Sequence, residues 1–140
     1  MSAVSISRQS VEERVGGGLM AVSVRDVKNF KVVKVQGSLI SGEPVNALRT
    51  CIHELLSGET KEFAIDLAGV DYLDSGGVGA IAAISFSTRE AGGTCRFFGA
   101  SANVMDILKK VNLHRAIQIF PDESAALSKS AAARPTRFVA

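Results

Sequence analysis

Apolar and polar residues alternate at the start of the patterned part of the chain. Residues 20–27 alternate in this way, and residues 30–35 do so again after only Lys28 and Asn29. Two alternating runs with so short a connection predict an antiparallel hairpin with one face in contact with water. Gly37 is predicted to end the second strand.

Apolar residues with helical spacing follow the hairpin. A first helix is predicted from Pro44, which suits a first turn, to Gly58. Its apolar stripe consists of Val45, Leu48, Ile52, Leu55 and Leu56. A second helix is predicted from about Ser75 to Ala91, and the glycine pair that comes next favours its termination there.

Three further apolar runs are predicted as strands that alternate with helices. They are residues 63–67, 94–98 and 117–120, and residues 68–74 are predicted as a loop before the second helix. Ser101 is the expected cap of a third helix, which Asn112 ends, and a last helix opens at residues 121–123. The order ββαβαβαβα predicts an α/β fold with right-handed crossovers and a partly parallel sheet covered by helices.

The two ends of the chain lack this patterning. Residues 1–18 are polar and end in three glycines, which is typical of a flexible leader, and residues 129–140 form an Ala/Ser-rich tail. Residues 19–128 are therefore predicted to form one domain. With 46% hydrophobic residues, this chain can bury a core without a metal or a disulfide.

Charge and cysteine content exclude several classes of function. The 16 basic and 14 acidic residues are dispersed and give a net charge of only +2, which argues against direct binding of nucleic acid. Cys51, Cys95, His53 and His114 have no metal-site spacing, so no metal site is expected. The longest apolar run is far shorter than the ~20 residues of a membrane span. Without a signal sequence, a reducing cytoplasm is the expected location.

The segment around Ser75 carries the most chemistry. Gly76, Gly77 and Gly79 stand at a predicted helix start, where three glycines cost a helix about 2–3 kcal/mol relative to alanine. Either a neighbouring backbone packs closely there, or a partner or a phosphate approaches the helix start. Ser75 falls at the cap or in the first turn, where its hydroxyl can bond a backbone N–H.

A serine nucleophile and a nucleotide site are weaker interpretations of this segment. A nucleophile elbow requires glycine where Leu73 stands. Residues 77–82 match G-x-G-x-x-A, but no acid follows a strand about 20 residues later, and there is no P-loop lysine. Phosphorylation of Ser75 needs no catalytic group in this chain. It would add about −1.5 to −2 charges beside Asp74, which would repel an acidic or apolar partner surface.

The second helix is apolar nearly all round, which predicts either complete burial or an interaction surface on one face. Its apolar residues are Val78, Ala80, Ile81, Ala82, Ala83, Ile84 and Phe86.

The segment from Phe63 to Gly79, with Asp66-Leu67 and the Asp74-Ser75-x-Gly77 turn, closely resembles the STAS domain, in particular that of anti-sigma factor antagonists. The likeness extends over about residues 20–127. It implies a mixed β-sheet of four to five strands with flanking helices and a regulator that is not an enzyme.

The resemblance also implies a partner-switching mechanism. The unphosphorylated chain would bind an anti-sigma factor, a serine kinase with an ATP-binding fold, and thereby free a sigma factor. The kinase would phosphorylate Ser75, and a PP2C-type phosphatase would reverse the modification. ATP would then lie on the partner, and this chain would hold no cofactor. A homodimer is left open.

The partner-binding residues implied by the resemblance are Asp74, Ser75, Gly76, Gly77 and Val78, with Ser38 and Ile40. Two departures from the family pattern stand out. Gly37-Ser38-Leu39-Ile40 replaces the usual Gly-Glu-Leu-Asp, so that two acids are missing, and Gly76 replaces a Ser or Thr. These departures keep open a second interpretation, a scaffold or regulatory subunit, stressosome-like or lipid-transport-like, that binds partners without phosphorylation control.

Overall fold

The structure, a computed structural model, describes residues 20–128 and the backbone of Arg14–Val15. The strands are β1 (Arg14–Val15), β2 (Met20–Val27), β3 (Phe30–Leu39), β4 (Glu62–Leu73), β5 (Thr94–Phe98) and β6 (Gln118–Phe120). The helices are α1 (Glu43–Leu56), α2 (Ser75–Glu90), α3 (Ala102–Lys110) and α4 (Glu123–Ala126), with a 3₁₀ turn at Leu113–Arg115. The predicted element order, ββαβαβαβα, is confirmed from β2 onward.

The strands form one mixed sheet in the order β1-β2-β3-β4-β5-β6. The predicted antiparallel hairpin of β2 and β3 is confirmed, and β3 to β6 are parallel, as their helical connections require. The short strand β1 lies within the predicted leader and pairs antiparallel with β2, so it adds an edge strand that the sequence did not predict. Residues 1–13 and 16–18 of the leader, and the predicted tail 129–140, lie outside the described residues.

Helices cover the two faces of the sheet unequally. Val33, Ile65 and Phe97 belong to a large core on the face that packs against α1, α2 and α3. The other face carries a smaller cluster formed by Phe30, Val32, Ala64, Phe98, Ala126 and Leu127, the last two from α4 and its end. Consecutive strand residues fall into different clusters because their side chains point to opposite faces.

Arg96 is a buried cation on the α4 side of the sheet. Its side chain is 1% exposed, and its Nη1 donates a hydrogen bond of 2.7 Å to the carbonyl oxygen of Ala126. Its guanidinium carbon lies 4.9 Å from the centroid of the Phe30 ring. Arg25 on β2 forms an ion pair with Glu123. Two arginines therefore fix α4 to the sheet.

Two predicted boundaries around β3 and β4 are wrong. Gly37 does not end its strand, and residues 68–73 are strand rather than loop. The pairing of β3 with β4 continues through two register shifts, and Gly37 lies at one of them with a φ of 101°. Gly69 lies where the strands approach closely, since a Cβ there would be 3.1 Å from the carbonyl oxygen of Val35. These glycines mark bulges within strands rather than strand ends.

Several predicted helix ends are confirmed. The Ser101 hydroxyl accepts a hydrogen bond of 3.2 Å from the N–H of Val104, at the start of α3. Asn112, with a φ of 60°, takes the left-handed conformation after that helix. The carboxylate of Asp122 caps α4 by accepting from the N–H of Ala125. Over the described residues, none of the helices is long and apolar enough to cross a membrane.

Candidate functional site

The carboxyl ends of the parallel strands β3 and β4 meet at one edge of the sheet, where Leu39 pairs with Leu73. The β3–α1 connection and the start of α2 both leave the sheet at this edge. Ligand and partner sites of open parallel sheets concentrate at such edges. The segment that the sequence singled out, Asp74-Ser75-Gly76-Gly77, lies here.

Asp74, and not Ser75, is the N-cap of α2. Its carboxylate accepts a hydrogen bond of 2.9 Å from the N–H of Gly77, and its extended backbone is that of a capping residue. The two carboxylate oxygens also accept from the N–H of Ser41, at 3.1 and 3.0 Å. Asp74 therefore caps the helix and also holds the neighbouring loop against it.

The ionised form of Asp74 is favoured by these contacts. The pKa of its carboxyl is lowered from the ordinary value, first by the backbone N–H of Ser41 and then by that of Gly77. Donated hydrogen bonds lower the pKa of a carboxyl because they stabilise the charged form more than the protonated form. The turn thus presents a fixed negative charge next to Ser75.

Ser75 is the first residue of α2, and its side chain is exposed. Within residues 20–128 its hydroxyl makes no hydrogen bond, so the predicted bond to a backbone N–H is not formed. The side-chain cap of α2 comes from Asp74, which accepts the hydrogen bond from the N–H of Gly77. The hydroxyl is therefore accessible at the positive end of a helix dipole.

The three glycines at the start of α2 lie in two different environments. A Cβ on Gly77 would overlap the carbonyl oxygen of Leu39, and one on Gly76 would overlap the side chain of Ser41. Both positions therefore need glycine for close packing of the β3–α1 connection against α2. Gly79 is exposed, and a Cβ there would meet nothing within 4 Å. Of the two explanations left open by the sequence, close backbone packing accounts for Gly76 and Gly77. It does not account for Gly79, where the surface is open to an approaching partner.

Gly77 differs from the other predicted partner-binding residues because it is buried. Gly77 packs against Leu39 in the interior of the turn and is not accessible to a partner. Ser75 is exposed, whereas Asp74, Gly76 and Val78 are half-buried, so these four residues form the accessible part of the turn.

Ser38 and Ile40 lie at the same sheet edge and are half-buried. The hydroxyl of Ser38 donates a hydrogen bond of 3.0 Å to the carboxylate of Asp71 on β4. The sequence assigned Asp71 to a loop and gave it no role. β4 therefore supplies a carboxylate beside Ser38.

Two more residues at this edge were missed. Tyr72 pairs in register with Ser38, and its side chain is 49% exposed. The side-chain amide of Asn103, on α3, donates a hydrogen bond of 3.0 Å to the carbonyl oxygen of Asp71. An exposed tyrosine is common at protein interfaces because it combines an apolar ring with a polar tip. In the sequence, Tyr72 was obscured because its strand was interpreted as a loop.

Of the two environments predicted for α2, complete burial is wrong, because only one face of the helix is buried. One face enters the large core through Ala80, Ile81 and Ile84. The opposite face is open at Gly79 and at Phe86, whose side chain is 60% exposed. An exposed phenylalanine on an otherwise folded helix marks a candidate contact surface that continues from the Ser75 turn.

Comparisons with known proteins identify the family and the fold. The family model described as STAS domain matches residues 21–126. No curated protein sequence matches the chain. Among solved structures, an anti-sigma factor antagonist from Mycobacterium paratuberculosis is similar at 21% identity with a TM-score of 0.70, over 81% of this chain and 96% of that one.

Two structures of SpoIIAA also share the fold. The unphosphorylated form of this anti-sigma factor antagonist is 18% identical with a TM-score of 0.63, over 74% of this chain and 91% of that one. The phosphorylated form, from Bacillus, is 17% identical with a TM-score of 0.58, over 74% of this chain and 95% of that one. At such identities the likeness concerns the fold. Because the family model spans most of the described residues, the chain belongs to the STAS domain family.

Proposed function

We propose that this chain is an anti-sigma factor antagonist whose binding is switched by phosphorylation of Ser75. When Ser75 is unphosphorylated, the chain binds an anti-sigma factor that is a serine kinase with an ATP-binding fold. This binding takes place in the cytoplasm. Phosphorylation of Ser75 releases the partner, and a PP2C-type phosphatase restores binding. The observation that carries the proposal is the exposed, unengaged hydroxyl of Ser75 directly after the helix cap Asp74.

The geometry allows phosphorylation without unfolding. The Ser75 hydroxyl makes no hydrogen bond to any residue of the described range 20–128, and the start of α2 favours negative charge through its dipole. A phosphate adds about −1.5 to −2 charges next to the carboxylate of Asp74. The turn therefore becomes much more negative on phosphorylation. Its backbone keeps its conformation, because the helix cap and the neighbouring loop are held by Asp74 rather than by Ser75.

The proposed contact surface consists of the turn and the strand ends beside it. Asp74, Ser75, Gly76 and Val78 come from the turn, and the buried Gly77 lies beneath them. Ser38 and Tyr72 come from the strands, and Ile40 directly follows β3. ATP would lie on the kinase, so the chain needs no cofactor of its own. Asp71 provides a carboxylate beside Ser38, one of the two positions where the family pattern has an acid that this chain lacks.

The proposal is tested by phosphorylation and binding with the cognate kinase. Incubation with kinase and ATP, followed by mass spectrometry, should place one phosphate on Ser75. Ser75→Ala should bind the kinase without being modified, and Ser75→Asp should bind at least about tenfold more weakly, because one buried like-charge contact costs over 1.4 kcal/mol.

Ser87→Asp is the matched control, because it adds the same charge to an exposed position of the same helix, three turns from Ser75. It should leave kinase binding at the wild-type level. Phosphate on another residue, or equal weakening by both aspartates, would refute the proposal.

The second candidate is a scaffold that binds through α2 without phosphorylation control. The exposed side chain of Phe86 favours it, because this residue lies about 16 Å along the helix from Ser75, at 1.5 Å per residue. Equal partner binding by Ser75→Ala and Ser75→Asp, together with loss of binding in Phe86→Ser, would support the scaffold. Loss with Ser75→Asp alone would reject it.

A further inference from the structure

Ser41 occupies the space that a side chain at position 76 would need. A Cβ on Gly76 would overlap the Oγ of Ser41 and would lie 2.9 Å from its Cβ. Gly76 is half-buried, whereas Ser41, in the β3–α1 connection, is exposed. The surface at this point of the turn is therefore formed by the side chain of Ser41, from another segment of the chain, and not by residue 76.

Asp74 holds Ser41 in this position. The backbone N–H of Ser41 donates to both carboxylate oxygens, at 3.1 and 3.0 Å. The pKa of the Asp74 carboxyl is lowered first by this N–H, then by that of Gly77, and further by the hydroxyl of Ser41. A hydroxyl lowers the pKa of a carboxyl when it donates to the charged form, and its oxygen then keeps lone pairs for another donor. Ser41 thus presents a hydrogen-bond acceptor beside the residues that flank Ser75.

We propose that Ser41 is a partner-binding residue whose hydroxyl oxygen accepts a hydrogen bond from a donor group of the kinase that phosphorylates Ser75. The inference rests on the proposed function and adds a contact from the β3–α1 connection to those of the turn. The carboxylate of Asp74 lies beside the hydroxyl, so a donor that carries positive charge is favoured and an acidic group is repelled. Ser41 contributes to affinity and is not itself modified.

Removal of the hydroxyl is the first test, on the full 140-residue chain. The probe is the kinase that transfers phosphate to Ser75, with ADP in place of ATP so that no phosphate is transferred while binding is measured. Ser41→Ala should weaken binding about fivefold, the effect of one lost hydrogen bond. The fold should be retained, because the bonds to Asp74 that hold the loop come from the backbone N–H of residue 41.

Relocation of the hydroxyl is the second test. Ser41→Gly with Gly76→Ser moves the hydroxyl to residue 76, into the space that the Ser41 side chain leaves. The Cα of residue 41, 3.0 Å from the new Cβ, has to shift by only a few tenths of an ångström. This double variant should bind within about twofold of wild type, whereas Ser41→Gly alone should be weakened at least as much as Ser41→Ala. A merely structural role of Ser41 would not give this recovery, since residue 41 is glycine in both variants.

Ser87→Ala is the matched control, because it removes an exposed hydroxyl about 18 Å along α2 from Ser75, at 1.5 Å per residue. It should leave the affinity unchanged. Wild-type binding by Ser41→Ala, no recovery in the double variant, or a phosphate on Ser41 would overturn the inference. These results leave the proposed function in place as long as the wild-type chain is phosphorylated on Ser75. If no phosphate reaches Ser75, the proposed function fails and this inference fails with it.

Discussion

The carboxylate of Asp74 accepts hydrogen bonds from the backbone N–H of Ser41, at 3.0 and 3.1 Å, and so joins two segments that are 33 residues apart. The same carboxylate accepts from the N–H of Gly77 and caps α2. The helix start and the β3–α1 connection are therefore held by one side chain. Over residues 20–128 the side chain of Ser75 takes no part in these hydrogen bonds, so its modification would not remove a contact that holds the turn.

Acid should weaken the fold through Asp74. Its pKa is lowered in the folded chain by the N–H groups of Ser41 and Gly77, so the unfolded chain takes up a proton first as the pH falls. The stability it contributes is complete above the ordinary aspartate pKa, about 3.9, and is lost as the pH falls through the lower folded value. Urea unfolding of wild type and Asp74→Asn should therefore converge toward each other in acid. A stability difference that does not change with pH would contradict this account.

Alanine at Gly77 and at Gly79 should have opposite effects. Gly79→Ala adds a side chain in open space within a helix and should stabilise the fold by about 0.5–1 kcal/mol. Gly77→Ala forces a Cβ against the carbonyl oxygen of Leu39 and should destabilise it by about 1–3 kcal/mol. Denaturant midpoints of the two variants give the comparison, and a change of the same sign in both would show that packing at the turn is not the cause.

Ser41 and Gly76 should be energetically coupled. Gly76→Ser, which restores the residue type usual in the family, places a side chain against that of Ser41 and should destabilise the fold. In the Ser41→Gly background the same substitution should cost less, with a coupling free energy of about 0.5–3 kcal/mol between neighbouring residues. A double-mutant cycle on urea unfolding measures it. Additive effects would mean that the two side chains do not compete for the same space.

Removal of the Arg96 guanidinium should loosen α4. Arg96→Met keeps most of the packing but leaves the carbonyl oxygen of Ala126 without its donor, at a cost of about 1–3 kcal/mol. Hydrogen exchange should rise first in residues 123–127. Lys110→Met is the control, because its exposed pair with Asp106 contributes at most about 0.5 kcal/mol. Equal effects of the two substitutions would argue against a fastening role for Arg96.

Periodicity was enough to predict the order of elements, because β2 to β6 and α1 to α4 each carry a clear strand or helix pattern. It failed where glycine has a different use. Gly37 and Gly69 carry the usual signals of a turn, yet both lie in bulges where β3 and β4 approach closely. Whether a glycine ends a strand or bends it depends on the neighbouring strand, which a single sequence does not contain.

The site was predicted in part for the same reason. Ser75 was found because its segment is local: cap, serine and glycines are consecutive. Asp71, Tyr72 and Ser41 were missed because their roles arise from contacts across strands, such as the bond from Ser38 to Asp71. Of the two positions left open for Ser75, the first turn is confirmed, and Asp74 is the cap through the N–H of Gly77. The further bond from the N–H of Ser41 to Asp74 joins segments far apart in sequence and could not be read from the local pattern.

The placement of α4 on the face opposite α1 and α2 offers a practical route to watching partners arrive. Ser124 is exposed there, and a Ser124→Cys variant would carry one reactive thiol, since Cys51 and Cys95 are buried and burial raises the pKa of Cys95 to about 12. A fluorophore attached at that position would lie on the opposite face of the sheet from α1 and α2, away from the Ser75 turn. Changes in its rotational diffusion would then report complex formation at the turn without obstructing it.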